Sequence, residues 1–423
     1  MLQIYRCLTY FFFPFFIILI YLRSIFKKED KIRFKEKIFS SHFKALKNYD
    51  EKLIWFHAAS IGECLSILPL ISEINRKHKK VNFLITTVTL SSSKLLEKKL
   101  NKHRNISHRF FPLDLKNLAK NFVNDWKPDL VCFVETEIWP NFLFEIKKKK
   151  IPLLLINARL TKKTFNKWKI IPNFAKKVFN NFDLCLAASN ESKINLKNFQ
   201  VQNLKYIGNL KYSFQSNLDE LQDSEKRILN NYKTWCAVST HKGEELTVLK
   251  THIEIKKKYA NALTIIIPRH VSRSIYVKNL SEKLNLNAQI LNDNDLISSG
   301  VEILIINSFG ILPKYFNYCK NIFIGKSLLK EKQNVGGQNP IEAAKLGCKI
   351  FHGPYVYNFN EVYEFLKFHG IAEQIDNELE LSKKLIKSFE NLVEVNQKNL
   401  NLLNNYGEKI LKETALEIDQ YLK

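Results

Sequence analysis

The sequence predicts an α/β protein made of two successive open parallel-sheet domains on a Rossmann-like plan, preceded by an apolar amino-terminal segment. Three observations carry this. From Leu53 onward, short apolar runs alternate with longer amphipathic stretches, as parallel strands buried on both faces alternate with crossover helices. Around 212–230 the chain turns polar, with Ser, Gln, Asn and Asp clustered, and the alternation restarts at Trp235. The halves also begin alike: Trp55-Phe-His-Ala-Ala-Ser-Ile-Gly-Glu63 parallels Trp235-Cys-Ala-Val-Ser-Thr-His-Lys-Gly-Glu244, each a strand feeding a helix through a Gly-Glu turn.

A chain of 423 residues exceeds one ordinary core and suits two domains plus an appendage. We expect a membrane anchor over 1–30, a first domain over 31–211, a linker over 212–230 and a second domain with terminal helices over 231–423. Strands are expected in the first domain at 53–57, 82–86, 130–134, 153–156, 184–187 and 206–208. The second should hold strands at 234–238, 263–267, 302–306, 321–324 and 349–351. Ligands of such sheets bind beyond the carboxyl ends of the strands.

No residue between Arg6 and Arg23 is charged, and most of 8–22 is large and apolar. The stretch is slightly shorter than the roughly 20 residues that cross a bilayer. Tyr10 and Tyr21 suit interfaces, and Arg6 and Arg23 reach toward them, so a short span or an interfacial helix both fit; a buried core helix is the alternative. No small-residue cleavage site follows. Lys27, Lys28, Lys31, Arg33, Lys35 and Lys37 come next, which puts the remainder on the cytoplasmic side.

Lys and Arg number 66 against 41 Asp and Glu, a formal charge of +25. Runs such as Lys147 to Lys150 point to a Lys-favouring genome, while the functional reading is attraction to an anionic membrane face, a phosphorylated lipid and an acidic nucleotide sugar. Nucleic acid is a third possible partner, disfavoured because the excess is spread along the chain with no nucleic-acid-binding motif. Seven cysteines without a C-x-x-C pair indicate neither a disulfide framework nor a zinc site.

Chemistry-bearing residues fall in the loops. Ser60-Ile-Gly-Glu63 opens a helix with capping-box spacing, so Glu63 either caps that helix or takes a proton from an incoming hydroxyl. Glu135-Thr-Glu137 follows an expected strand, and Pro140 suits a first helical turn. Lys211 lies beyond another strand. In the second half, Pro268-Arg269-His270 follows a strand, and Gly336-Gly-Gln-Asn-Pro-Ile-Glu342 precedes a helix where backbone N–H groups approach a phosphate. Neither G-x-G-x-x-G nor a Walker loop is present, which disfavours a dehydrogenase or an ATPase.

Seven segments together resemble the 3-deoxy-D-manno-octulosonic acid (Kdo) transferase family of lipopolysaccharide synthesis. They are His57-Ala-Ala-Ser-Ile-Gly-Glu63, Glu135-Thr-Glu-Ile-Trp-Pro-Asn141, Ile156-Asn-Ala-Arg-Leu160, Gly208-Asn-Leu-Lys-Tyr212, Ser239-Thr-His-Lys-Gly-Glu244, Pro268-Arg-His270 and Gly337-Gln-Asn-Pro-Ile-Glu342. The resemblance runs through nearly the whole chain, in family order. It implies a GT-B-type glycosyltransferase: two Rossmann-like domains with a cleft between them, plus an N-terminal membrane anchor helix.

The implied reaction moves Kdo from CMP-Kdo to a lipid A precursor, with inversion, at the cytoplasmic face of the anionic inner membrane. By family pattern Glu63 is the proton acceptor and Glu135 and Lys211 stabilise the transition state. CMP would contact Pro268, Arg269, Phe309, Gly310, Ile311, Asn339, Pro340, Ile341 and Glu342. No metal or other cofactor is implied, because cationic side chains and helix N-termini suit a leaving group with one phosphate. The chain departs from the family at Asn307-Ser308-Phe309-Gly310-Ile311-Leu312, where the family usually reads Asp-Thr-x-Gly-Glu-Leu, and at Gly325-Lys326-Ser327-Leu328, which a longer link joins to the glycine pair. Rival readings are a transferase using another nucleotide sugar and a decayed, lipid-binding surface protein.

Overall fold

Runs of consecutive apolar residues become strands here because helices cover both faces of each sheet. The computed structural model describes residues 1–42, 51–100, 104–214, 221–292, 295–308, 312–332, 335–391 and 397–422. The chain divides into two units, Met1–Phe214 with Gly407–Lys423, and Gln215–Tyr406.

The first unit's strands are β1 (Lys52–His57), β2 (Val81–Thr87), β3 (Ile106–Phe110), β4 (Leu130–Val134), β5 (Leu153–Ala158), β6 (Leu184–Ala187) and β7 (Leu204–Tyr206). All pair in parallel, in the order β3-β2-β1-β4-β5-β6-β7. The order reverses between β1 and β4, so this sheet's topological switch point lies at their carboxyl ends, where a doubly wound sheet receives its ligand. Trp55 anchors the core beneath it, with ring centroids 5.0 Å from Phe122 and 5.8 Å from both Phe133 and Phe142.

The second unit repeats the plan with β8 (Lys233–Thr240), β9 (Ala262–Pro268), β10 (Ala288–Leu291), β11 (Ile303–Ile306), β12 (Asn321–Ile324), β13 (Lys349–His352) and β14 (Ala372–Gln374). The order β10-β11-β9-β8-β12-β13-β14 puts its switch point between β8 and β12. Trp235, Ile266, Ile305 and Phe323 belong to its core.

Eleven strands were expected and each is present, but β7 ends at Tyr206 rather than beginning there. Three more, β3, β10 and β14, were not anticipated. All three are edge strands, only partly buried, so they carry no continuous apolar run for the sequence to display.

The single amino-terminal helix is replaced by two, α1 (Leu2–Phe11) and α2 (Phe13–Ile25), meeting at 51°. Pro14 explains the break: it has no N–H to donate, and within a continuous helix its ring would strike the carbonyl of Tyr10. Among the described residues no single helix is long and apolar enough to cross a membrane, although the bent pair together is. One face of the pair packs on the first unit. Tyr5 donates to Asp114 at 2.7 Å, and Arg6 reaches Asn141 at 3.1 Å and Glu145 at 3.3 Å. Ile20 is buried with Phe34 and Ile38. Of the basic residues that follow, Lys37 is buried against Glu29 at 2.6 Å and Arg33 pairs with Glu36 and Glu97 at 2.8 Å each. Lys27, Lys28, Lys31 and Lys35 are exposed.

The terminal helix, Gln397–Asp419, was expected in the second domain, yet from Gly407 on the chain belongs to the first unit. Asp419 takes Lys77 at 3.0 Å and lies 3.1 Å from His78, while Glu417 takes Lys205 at 2.7 Å. The close approach requires glycine, since a Cβ on Gly407 would lie 2.0 Å from the Tyr212 carbonyl oxygen. Gly→Ala inside a helix ordinarily gains up to about 1 kcal/mol. Here the obstacle is backbone, so we expect Gly407→Ala to destabilise the protein by about 1–3 kcal/mol. The denaturant midpoint checks this, and a midpoint at or above wild type contradicts it.

Candidate active site

The loops after β1 and β4 converge at the first unit's switch point. β1 leads through Ala58-Ala-Ser60 into α3 (Ile61–Lys77), with Ser60 as N-cap in extended geometry. Cys64, Ile67, Leu70, Ile71 and Ile74 recur at helical spacing and are buried, which fixes how α3 enters the site. Glu63 therefore falls in the first turn, facing inward, 7 % exposed.

Half of the capping box forms, with Glu63 N–H reaching Ser60 Oγ at 3.4 Å, but the carboxylate takes Ala59 N–H on Oε2 at 2.8 Å and Ser60 Oγ–H on Oε1 at 2.7 Å rather than the Ser60 backbone N–H that the spacing suggested. The cap does not exhaust the residue. Burial pushes its carboxyl up to about 8, the charge of Glu135 adds to the rise, and the Ser60 hydroxyl opposes it.

Glu135, also 7 % exposed, sits just past β4 with φ +57°, a conformation that costs a non-glycine residue about 1–3 kcal/mol and is held by its surroundings. Its N–H donates to Ile156 O at 3.1 Å and its carbonyl accepts from Arg159 N–H at 3.3 Å, so both backbone groups are tied to β5 and the residues after it. The side chain forms an ion pair with Lys211 Nζ at 2.5 Å. Lys211 arrives on a short 3₁₀ turn, Leu210–Ser213, capped by Asn209, whose Oδ1 accepts from Lys211 N–H at 3.0 Å. That turn abuts the start of α3, where a Cβ on Gly62 would lie 3.7 Å from Lys211 Cε. Glu63, Glu135 and Lys211, 148 residues apart at the extremes, thus gather in one place.

Two residues to which sequence reasoning gave no role complete the group. Asn157, at φ +50° on β5, accepts from Leu210 N–H at 2.9 Å and donates to Glu135 at 3.5 Å, linking Glu135 to the turn that carries Lys211. The quoted Ile156-Asn-Ala-Arg segment contained it, but nothing local marks an asparagine as a bridge. His57, fully buried and stacked on Phe111 at 3.9 Å, places Nε2 3.3 Å from Glu137. Trp139 donates its indole N–H to the same carboxylate at 2.9 Å. Burial raises Glu137, but these partners outweigh it and hold the group below the ordinary carboxylate value. The two acids of Glu135-Thr-Glu137 therefore divide: one pairs with Lys211, the other with His57.

In the second unit the described members of the expected nucleotide set lie at the carboxyl end of β9 and at the start of the helix Ile341–Lys345, which precedes β13. Buried Pro268 closes β9, and exposed Arg269 follows, its N–H donating to Thr240 O at 3.1 Å. Asn339 Oδ1 accepts from Ile341 N–H at 3.2 Å as the short helix Ile341–Lys345 begins after Pro340. Glu342 is pushed up to about 7 by burial. Phe309, Gly310 and Ile311 lie outside the described residues. Glu244, quoted in sequence only as part of a motif, is fully buried and accepts from His241, Lys326, Ser327 and Leu328 N–H groups at 3.0, 2.6, 2.8 and 3.1 Å. It clamps the Gly325–Leu328 turn, one of the segments where the chain departs from the expected pattern. Among the described residues no group of three or more His, Cys, Asp or Glu could hold a metal ion.

Two parallel seven-stranded sheets define the class, an α/β protein of the GT-B-like kind. Similar solved structures include a putative UDP-N-acetylglucosamine 2-epimerase from Listeria monocytogenes (TM-score 0.62, 13 % identity, 88 % of this chain and 97 % of that one). A glycosyltransferase from Rickettsia africae has TM-score 0.56 at 13 % identity, over 89 % of this chain and all of that one. Residues 33–214 match the 3-deoxy-D-manno-octulosonic-acid transferase family. The transferase of that name from Rickettsia bellii is 31 % identical over all of this chain and 98 % of its own length, and that of Haemophilus influenzae 27 % identical over 87 % and 85 %. The chain belongs to the Kdo transferase family and is a glycosyltransferase that transfers Kdo in lipopolysaccharide synthesis.

Two predictions come from the site. The base role proposed for Glu63 needs its ionised form, so kcat/KM should rise with pH, pass half its limit near 8 and level off above that; a profile already flat through neutrality contradicts this. The same shift has a stability sign. The folded carboxyl holds its proton more tightly than the unfolded one, so its contribution is complete below pH 4.5 and lost as pH climbs through about 8. Separately, Asn157→Asp keeps the acceptor for Leu210 but sets a carboxylate against Glu135. We expect kcat to fall about tenfold or more, the worth of one hydrogen bond to a charged group, with KM little changed; a loss confined to KM contradicts it.

Proposed function

We propose that the chain transfers Kdo from CMP-Kdo to a hydroxyl of a lipid A precursor, a tetraacylated disaccharide bisphosphate, with inversion at the anomeric carbon. The observation that carries this reading is the buried Glu63 carboxyl, raised toward neutrality beside the Glu135–Lys211 pair. Glu63 takes the proton of the acceptor hydroxyl as its oxygen bonds to the anomeric carbon, and the bond to the phosphate oxygen breaks with its electrons leaving on CMP. Positive charge grows on the sugar meanwhile, and the Glu135 carboxylate suits it. The Lys211 ammonium suits the developing negative charge.

The nucleotide falls to the second unit. Arg269 supplies an exposed cation beside β9, and Asn339 to Glu342 supply a helix start; Phe309, Gly310 and Ile311 complete the proposed contacts. The anomeric centre needs no metal in this scheme, because side-chain cations and backbone dipoles meet the charge of a single phosphate. The apolar outer face of α1 and α2, followed by exposed Lys27, Lys28, Lys31 and Lys35, supports attachment to the anionic cytoplasmic face of the inner membrane.

Purified full-length protein with CMP-Kdo and the tetraacyl acceptor should release CMP and yield an acceptor heavier by whole Kdo units, whereas Glu63→Gln should fold normally and lose about 10²- to 10⁴-fold in rate. Tighter binding of UDP than CMP, no turnover by wild type, or near-normal turnover by Glu63→Gln would each contradict the proposal.

A further inference from the structure

A groove lies against α1 and α2 where they meet. A cavity of about 330 Å³ lies beneath the bend, with Tyr10, Phe13, Ile17, Ile38, Phe39 and Leu118 among its walls. That volume is at the lower end of the range for small-molecule sites, which are mostly apolar as this one is.

Two observations say what fits. The same helices turn Phe11, Phe15 and Ile18 outward at 77, 59 and 58 % exposure, an apolar surface that marks contact with a partner or a membrane. Exposed Lys27, Lys28, Lys31 and Lys35 come directly after it, matching the charge of phosphorylated lipids. The groove is also tied to the catalytic group. Leu115 lines it, and Phe111, four residues earlier, stacks on His57 and lies 5.5 Å from Trp139, the two partners of Glu137. Four residues of chain span at most roughly 14 Å, and Glu137 is near enough for its charge to act on Glu63, so a lipid with its polar head at Glu63 has its hydrocarbon within reach.

Resting on the proposed function, we propose that this groove seats one acyl chain of the lipid acceptor, so that the broken amino-terminal helix is part of the acceptor site as well as a membrane attachment. Binding then reads the acceptor's hydrocarbon directly, and a phospholipid lacking the sugar head competes poorly.

The test measures binding of the tetraacyl acceptor to the full chain in detergent micelles without donor. Ser40→Trp fills the groove from a lining position that is only half-buried, and Tyr10→Trp enlarges the opposite wall. Either should raise Kd about tenfold or more, since each methylene kept out of apolar surroundings costs about fourfold. Binding of the same disaccharide stripped of its acyl chains should stay at the wild-type value, as should the circular dichroism spectrum. Phe15→Ser, outside the groove, should weaken vesicle attachment and leave this Kd unchanged. Unchanged Kd in both groove variants, equal losses on both acceptors, or full competition by a phospholipid of the same chain length would overturn the inference. Failure of the proposed function looks different: acceptor binds, yet CMP-Kdo yields no CMP.

Discussion

Two carboxylates and one ammonium share a nearly dry corner at the end of β1 and β4, and much of the first unit serves to keep them there. Glu63 and Glu135 are each 7 % exposed, and like charges so placed cannot both ionise freely. Lys211 answers one of them at 2.5 Å. The other keeps its proton until the pH approaches about 8. A carboxyl in that condition is a better base than an ordinary glutamate, because its affinity for a proton is matched to neutral conditions.

Holding this arrangement requires strain and support in several places. Glu135 and Asn157 both adopt positive φ, and the hydrogen bonds that fix them run between β4, β5 and the 3₁₀ turn that carries Lys211. The returning terminal helix presses Gly407 against Tyr212, the residue next to Lys211. Helix capping and the proposed base role, which looked like alternatives for Glu63, are compatible: the Ser60 hydroxyl and the Ala59 N–H orient the carboxylate while burial and Glu135 set its proton affinity. The second unit uses an analogous glutamate differently, for Glu244 spends its oxygens on four backbone N–H groups.

Much of this was legible in the sequence, for physical reasons. Strands in the middle of each sheet are covered on both sides and announce themselves as apolar runs, so β4, β6 and β12 were placed with their ends correct. Edge strands such as β3 and β14 are not so covered and stayed hidden. The resemblance picked out Glu63, Glu135 and Lys211, and the fold brings them together; spacing alone left Glu63 between two roles. Asn157 and the His57–Glu137 pair depend on contacts between residues 53 and 80 positions apart, which no local pattern encodes. In the amino-terminal segment composition reports apolarity but neither direction nor the break: Tyr5, Arg6 and Ile20 turn inward to the protein while their neighbours face out.

The central claim is that burial, with the charge of Glu135 added to it, raises the proton affinity of Glu63. The most direct measurement is an infrared difference titration between wild type and Glu63→Gln, following the protonated carboxyl band of this one residue from acid to mildly alkaline solution. The account predicts that the band persists through neutrality and disappears near pH 8, and that it disappears at lower pH when Glu135 is replaced by Gln. A band already lost in the ordinary range of an exposed glutamate, around pH 4.3, would contradict it.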